Sequence, residues 1–243
     1  PHIFNLSLKE IEDFMNKHLN VKQDKKVESG EVFTPFHLVV EMVNTFPKSV
    51  WKNPNLKWLD PGSGVGNIMI YIFYKLMKHI PIKNIEKRKK NILEHMLYFV
   101  EINKEYITII KHIFCGDIYK LNIHEGSFVS MNIEDDNMNI YSSDILYDII
   151  ITNPPYQKPN KQGGSSAKPL YHLFIHKSLE LLKQNGYLIA IHPFTWRRKS
   201  KEIKLLDELL KYQIIYLYTN NDFEHFNKSA IHINYYLLQK CDN

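Results

Sequence analysis

At 243 residues with 44% apolar and 13% aromatic content, the chain is sized for one domain with a sheet between helices, and its composition excludes a disordered chain. A net charge of +5 and a pI near 8.9 allow a polyanionic partner without requiring one. Two cysteines are too few for a disulfide framework or a zinc site, and no apolar run reaches the ~20 residues of a membrane span.

Strand and helix signals alternate along the chain. "LSLKEIEDFMNKHL" is an amphipathic helix, the polar "VKQDKKVESGEVFTP" a loop, and "PFHLVVEMVNTF" a helix with Leu38, Val39, Met42, Val43 and Phe46 on one face. Strand "LKWLD" runs into "PGSGVGN" and the helix "IMIYIFYKLMKHI". The lysine-rich "IKNIEKRKKNILEHM" is a helix with a solvated face, "LYFVEI" a strand, "EYITIIKHI" a helix, and "FCGD" is expected as a short third strand. Ile118 to Ser143 is polar and broken, an irregular excursion or small hairpin. Strand "YDIIIT" then leads to "NPPYQ" and the flexible "KPNKQGGSSAKPL", expected to be a loop over the substrate. "YHLFIHKSLELLKQNG" is expected to be a helix with Gly186 as its C-cap. "YLIAIHP" is a strand, "KSKEIKLLDELLKY" a charged helix, and "QIIYLYT" with "IHINYYLLQK" an antiparallel pair. This is βαβ alternation in a mixed sheet, the α/β class.

In such sheets ligands bind beyond the carboxyl ends of the strands. Asp60, Pro61, Gly62, Ser63, Gly64, Gly66 and Asn67 follow the first strand, and their alternate glycines let the backbone pass close to a ligand. The lysine and hydroxyl of a phosphate-binding loop are missing after the last glycine. Glu101, followed by Ile102, ends the second strand and could accept both ribose hydroxyls. Asp117, followed by Ile118, is expected to end the third and take an amino hydrogen of adenine. Three acids in order suggest an adenosine with a charged tail.

Asn153, Pro154, Pro155 and Tyr156 end the fourth strand. An amide oxygen and the Pro154 carbonyl, fixed by the following proline, form two converging acceptors for a planar amino group, and Tyr156 offers a face for a flat base. No histidine shows metal-ligand spacing, and His192 and His232 are expected to be packed or hydrogen-bonded. Lys158, Lys161 and Lys168, with Arg197, Arg198 and Lys199, are candidate phosphate contacts.

"GEVFTP", "DPGSGVGN", "ILEHMLYFVEIN", "NPPY" and the final "FNKSAIHINYYLLQK" resemble the S-adenosylmethionine-dependent methyltransferases that modify the exocyclic amino group of adenine in DNA, the restriction-modification class with an N-terminal Phe-Thr-Pro motif. The resemblance implies a Rossmann-like methyltransferase fold, with a mostly parallel seven-stranded sheet, an antiparallel last strand and helices on both faces. It implies S-adenosyl-L-methionine as cofactor, with Phe33, Thr34 and Pro35 lining its methionine part, Asp60 and the glycine loop at the amino-acid end, Glu101 at the ribose and Asp117 at the adenine. Asn153, Pro154 and Tyr156 would hold an adenine flipped out of DNA. Residues 1–29 are expected as a helical extension and 30–243 as the catalytic domain, with a target-recognition or nuclease domain or chain supplied separately. The expected setting is intracellular, cytoplasmic or, in a eukaryote, nuclear. RNA adenine, a protein glutamine amide and a non-catalytic binding module of the same fold remain alternatives.

Overall fold

The computed structural model describes residues 3–19, 34–130, 146–157, 169–197, 203–219 and 233–242. Helix α1 (Leu8–Phe14) starts at a capping box, in which the Glu10 amide donates to Ser7 Oγ and the Ser7 amide donates to Glu10 Oε2. A π-helical turn (Met15–Leu19) continues it, and Ile3, Ile11 and Met15 are buried in the main core. Helix α2 is Phe36–Asn44. Strand β1 (Trp58–Asp60) enters helix α3 (Asn67–His79) through the glycine loop. Helix α4 (Ile85–Asn91) passes through a π turn (Ile92–Met96) into β2 (Leu97–Glu101), and helix α5 (Lys104–Ile113) follows.

The third strand differs from the expectation. It is β3 (Asn122–Glu125), not "FCGD". Cys115 takes a left-handed φ of 53°, the Gly116 amide donates to Lys111 O at 2.7 Å, and the Ile118 amide to Cys115 O at 2.9 Å. These bonds close the end of α5 as a turn. β4 is Tyr147–Thr152, helix α6 Tyr171–Leu181, β5 Leu182–Pro193, helix α7 Leu205–Leu209, β6 Tyr212–Tyr218 and β7 Ile233–Asp242. Gly186 is no helix cap. α6 stops at Leu181, where Lys240 Nζ donates to Leu179 O and Leu182 O. Gly186 lies in a bulge of β5, where a Cβ would come within 2.8 Å of Asp148 O.

The sheet order is β3-β2-β1-β4-β5-β7-β6, with β7 antiparallel to both neighbours and the other pairings parallel. Both faces are covered, so β1 and β2 are buried throughout, as parallel strands require. Alternate residues divide between two cores: Phe99, Ile149 and Ile151 pack with α2, α3 and α5, while Tyr98, Val100, Tyr147 and Ile150 pack with α6 and α7. Strand order reverses between β1 and β4. A crevice opens there at the carboxyl ends.

Candidate active site

The glycine loop turns because two of its residues take conformations that favour glycine. Gly64 has φ 54° and Gly66 φ 90°, and the Gly66 amide donates to Ser63 O at 2.8 Å. Ser63 Oγ donates to Asp60 O, and the Ser63 amide donates to Val100 O at 3.0 Å, tying the loop to β2. The loop's tip is tied to the Glu101 carboxylate. Its Oε2 accepts from the Gly64 amide at 2.7 Å, and its Oε1 accepts from the Ile102 and Asn103 amides at 2.9 and 2.8 Å.

Asp60 is 1% exposed. Burial pushes its carboxyl up to about 7, and the neighbouring Glu101 charge adds to the rise, against the Gly62 N–H that donates to it at 3.1 Å and lowers it. A positive group brought beside this pair would favour the ionised form.

Across the crevice, Asn153 leaves β4 and Asn153 Nδ2 donates to Thr34 Oγ1 at 3.0 Å; Asn67 Nδ2 donates to the Thr34 carbonyl at 3.4 Å. Thr34, just before α2, therefore bridges the glycine-loop helix and the β4 loop. The two loops come close. A Cβ on Gly62 would lie 4.0 Å from Asn153 O and 3.7 Å from the Phe174 ring. Between them is a cavity of about 280 Å³ lined by Thr34, Asp60, Pro61, Gly62, Ser63, Gly64, Asn67, Glu101, Ile102, Asn153 and Pro155 among the expected residues.

Several expected residues are not in its wall. Pro35 caps α2 and Gly66 caps α3, each one step behind the lining. Pro154 is buried, and Tyr156 is 8% exposed with its hydroxyl lacking a hydrogen-bond partner among the described residues. Asp117 and Ile118 are exposed in the turn after α5 and do not line the cavity. Gly126, Ser127, Phe128 and Val129, after β3, do, as do Tyr106, Leu170 and Phe174. The sequence signal for the first group was a glycine closing the short "NIHE"; Phe174 reads only as one apolar position of an ordinary helix.

Arg197 is exposed at the end of a 3₁₀ turn (Phe194–Arg197) beyond β5, its guanidinium 5.6 Å from the Phe194 ring centre. Phe33, Lys158, Lys161, Lys168, Arg198, Lys199 and His232 lie outside the described residues. The flanks of the 158–168 segment are held together: Gln157 bridges Pro169, and the Leu170 amide donates to Tyr156 O at 3.0 Å. His192 is fully buried, stacked on Tyr171 at 4.8 Å, with Nε2 3.2 Å from the Tyr236 hydroxyl, and burial lowers its pKa to about 4. Among the described residues no group of three or more His, Cys, Asp or Glu could hold a metal ion, and no helix is long and apolar enough to cross a membrane.

Residues 65–226 match the family model described as Eco57I restriction-modification methylase. The chain is 25% identical over 257 aligned positions to an uncharacterized adenine-specific methylase of Mycoplasma pneumoniae, covering 76% of this chain and 60% of that protein. It is 23% identical to the type II methyltransferase M.BsuBI of Bacillus subtilis, covering 69% of this chain and 34% of that protein. In fold it is similar to a modification subunit of a putative type I restriction enzyme from Vibrio vulnificus, with TM-score 0.73, 16% identity, 98% of this chain and 51% of that one covered. A putative class I S-adenosylmethionine-dependent methyltransferase from Listeria monocytogenes gives TM-score 0.67 and 16% identity over 100% of this chain and 71% of that one. The chain thus spans 60% and 34% of the length of these two curated relatives.

Proposed function

The chain belongs to the Eco57I restriction-modification methylase family, and from that premise we propose that it transfers a methyl group from S-adenosyl-L-methionine to the exocyclic amino group of adenine in DNA. The observation that carries the reading is the meeting of the glycine loop, anchored on Glu101, with Asn153 across the strand-order reversal between β1 and β4.

The wall suits the donor. Asp60 and Glu101 put negative charge at one side of an otherwise mostly apolar cavity, and a buried carboxyl poised near neutrality would ionise beside an ammonium group. When bound, S-adenosyl-L-methionine supplies a methyl on a positively charged sulfur, already activated for displacement. The chain's own task is therefore placement. Aligning acceptor and donor is worth roughly 7 to 11 kcal/mol in favourable intramolecular models.

In this reading Asn153 is held by Thr34 through its Nδ2, and its amide oxygen accepts from the target amine together with the Pro154 carbonyl. Two acceptors draw the nitrogen toward a tetrahedral shape and free its lone pair. Pro155 in the cavity wall and Tyr156 behind it would bound the flipped base. Tyr156 is buried in this structure, so stacking on a base would require its loop to open. Arg197, with Lys158, Lys161, Lys168, Arg198 and Lys199 of the segments that follow Gln157 and Arg197 in the chain, would contact phosphates, which position the protein without reading sequence. We place site-specific recognition with the longer proteins of the family and their partners, and the reaction inside the cell, where donor and DNA meet.

The test is incubation of the chain with methyl-labelled S-adenosyl-L-methionine and DNA, RNA and protein in parallel. Label is expected in DNA as N6-methyladenine, the 6-methylaminopurine base. Label confined to RNA or to glutamine would overturn the acceptor assignment, and none in any acceptor would overturn the activity.

A further inference from the structure

We infer that the purine end of the donor is read by a neutral hydroxyl, that of Ser127, and that the site therefore accepts a 6-oxo purine nearly as well as a 6-amino one. The inference rests on the donor assignment above. Strand order carries it. β1 ends in the glycine loop, its neighbour β2 in Glu101, and β3, next outward, in Gly126 and Ser127. A ligand with its tail at the first and its ribose at the second extends toward the third.

Register makes the placement specific. Glu101 pairs with Glu125, and the Gly126 amide donates to the Glu101 backbone carbonyl at 3.0 Å, so the chain leaving β3 stays alongside the end of β2, and Ser127 follows two residues beyond β3. A Cβ on Gly126 would lie 2.7 Å from His124 Nε2, so the buried imidazole packs directly against the backbone at this position. Ser127 and Phe128 line the cavity, and Phe128 is 1% exposed, its ring 5.4 Å from that of Phe174. The two rings, tilted 39° to each other, give the cavity an apolar wall on the side that Ser127 also lines. Among the described residues the other acids near β3 are turned away: Asp117 is outside the cavity wall, and Glu125 is exposed and paired with Lys104 at 3.2 Å.

The difference between a serine and an acid here is chemical. A carboxylate only accepts hydrogen bonds, so it selects an amino edge and is left facing another acceptor by an oxo edge. A hydroxyl rotates, accepting from one and donating to the other. Sites built to bond one hydrogen-bonding group reject the analogue lacking it by orders of magnitude, and Ser127 removes that penalty.

Calorimetric titration of the 243-residue chain with S-adenosylhomocysteine and with S-inosylhomocysteine tests this, with thermal unfolding of each variant run alongside. The two affinities are expected to agree within about tenfold, and Ser127→Asp to widen the gap by at least about another tenfold in favour of the adenosyl compound. Ser127→Ala should weaken both to a similar degree, and Asp117→Asn should change neither. Rejection of the inosyl compound by about a hundredfold or more, or weakened binding in Asp117→Asn, would overturn the inference while leaving the donor assignment standing. No binding of S-adenosylhomocysteine by the unaltered chain would overturn both.

Discussion

Glu101 and Asn153 face each other across one crevice and are held in different ways. Glu101 is fixed by three backbone amides from its own strand end and the adjoining glycine loop. Asn153 is anchored through Thr34, 119 residues away in the chain, and among the described residues its loop is closed by the Gln157–Pro169 bridge and the Leu170 amide's bond to Tyr156 O. The first side is built by local hydrogen bonding that any correct sheet produces. The second depends on two distant segments arriving together. The proposed donor site should therefore be the sturdier half and the acceptor site the half more easily lost.

The sharpest way to separate the halves is a mirrored pair of substitutions. Asn153→Ala should lower methyl transfer by about a hundredfold to a thousandfold, the usual loss when a group aimed at the reacting centre is removed, with donor affinity nearly intact. Glu101→Ala should do the reverse first, weakening donor binding by about ten- to a hundredfold as charge-assisted bonds disappear. If calorimetry and single-turnover rates showed both variants failing in the same parameter, the division would collapse.

A smaller effect belongs to Asp60. Its folded pKa of about 7 lies above the ordinary 3.8, so the ligand-free fold is stabilised by the protonated form and loses that contribution as pH rises from 4 through 7. Binding of a cationic donor runs the other way, since it needs the carboxylate. Affinity should rise about tenfold between pH 6 and 8, with a proton released, and be flat in Asp60→Asn. A profile unchanged by that substitution would move the titrating group elsewhere. The smallest effect is at Tyr156, whose buried hydroxyl has no partner among the described residues. Tyr156→Phe should leave stability equal or raise it by up to about 1 kcal/mol, whereas a loss of about 2 kcal/mol would reveal a hydrogen bond.

What could be read from the sequence follows the same division. "YDIIIT" is β4 residue for residue, and the glycine loop and Glu101 announce themselves, because buried central strands and positive-φ glycines leave strong local marks. β3 left a weak one. It is a four-residue edge strand with only His124 buried, while "FCGD" imitates a strand closed by an acid and is in fact the terminal turn of α5. Gly186 was misread for a similar reason: a glycine after an apolar helix suggests a cap, but Lys240, from the far end of the chain, ends α6 earlier. The Asn153–Thr34 contact was not legible: the family resemblance puts Thr34 at the donor and Asn153 at the acceptor without joining them, and nothing local links residues so far apart.

The position of β7 between β5 and β6 also sets an order of assembly. During synthesis β6 emerges before β7, its one sheet neighbour among the described residues, exists, with Ile215, Tyr216 and Leu217 exposed even in the finished fold. Until Ile233–Asp242 is made, both β5 and β6 present unpaired edges, the kind of surface that pairs between chains. Completion of the sheet is a late, long-range event, slow by the standard of local contacts, and a nascent chain stalled before Ile233 is the species most in need of a chaperone.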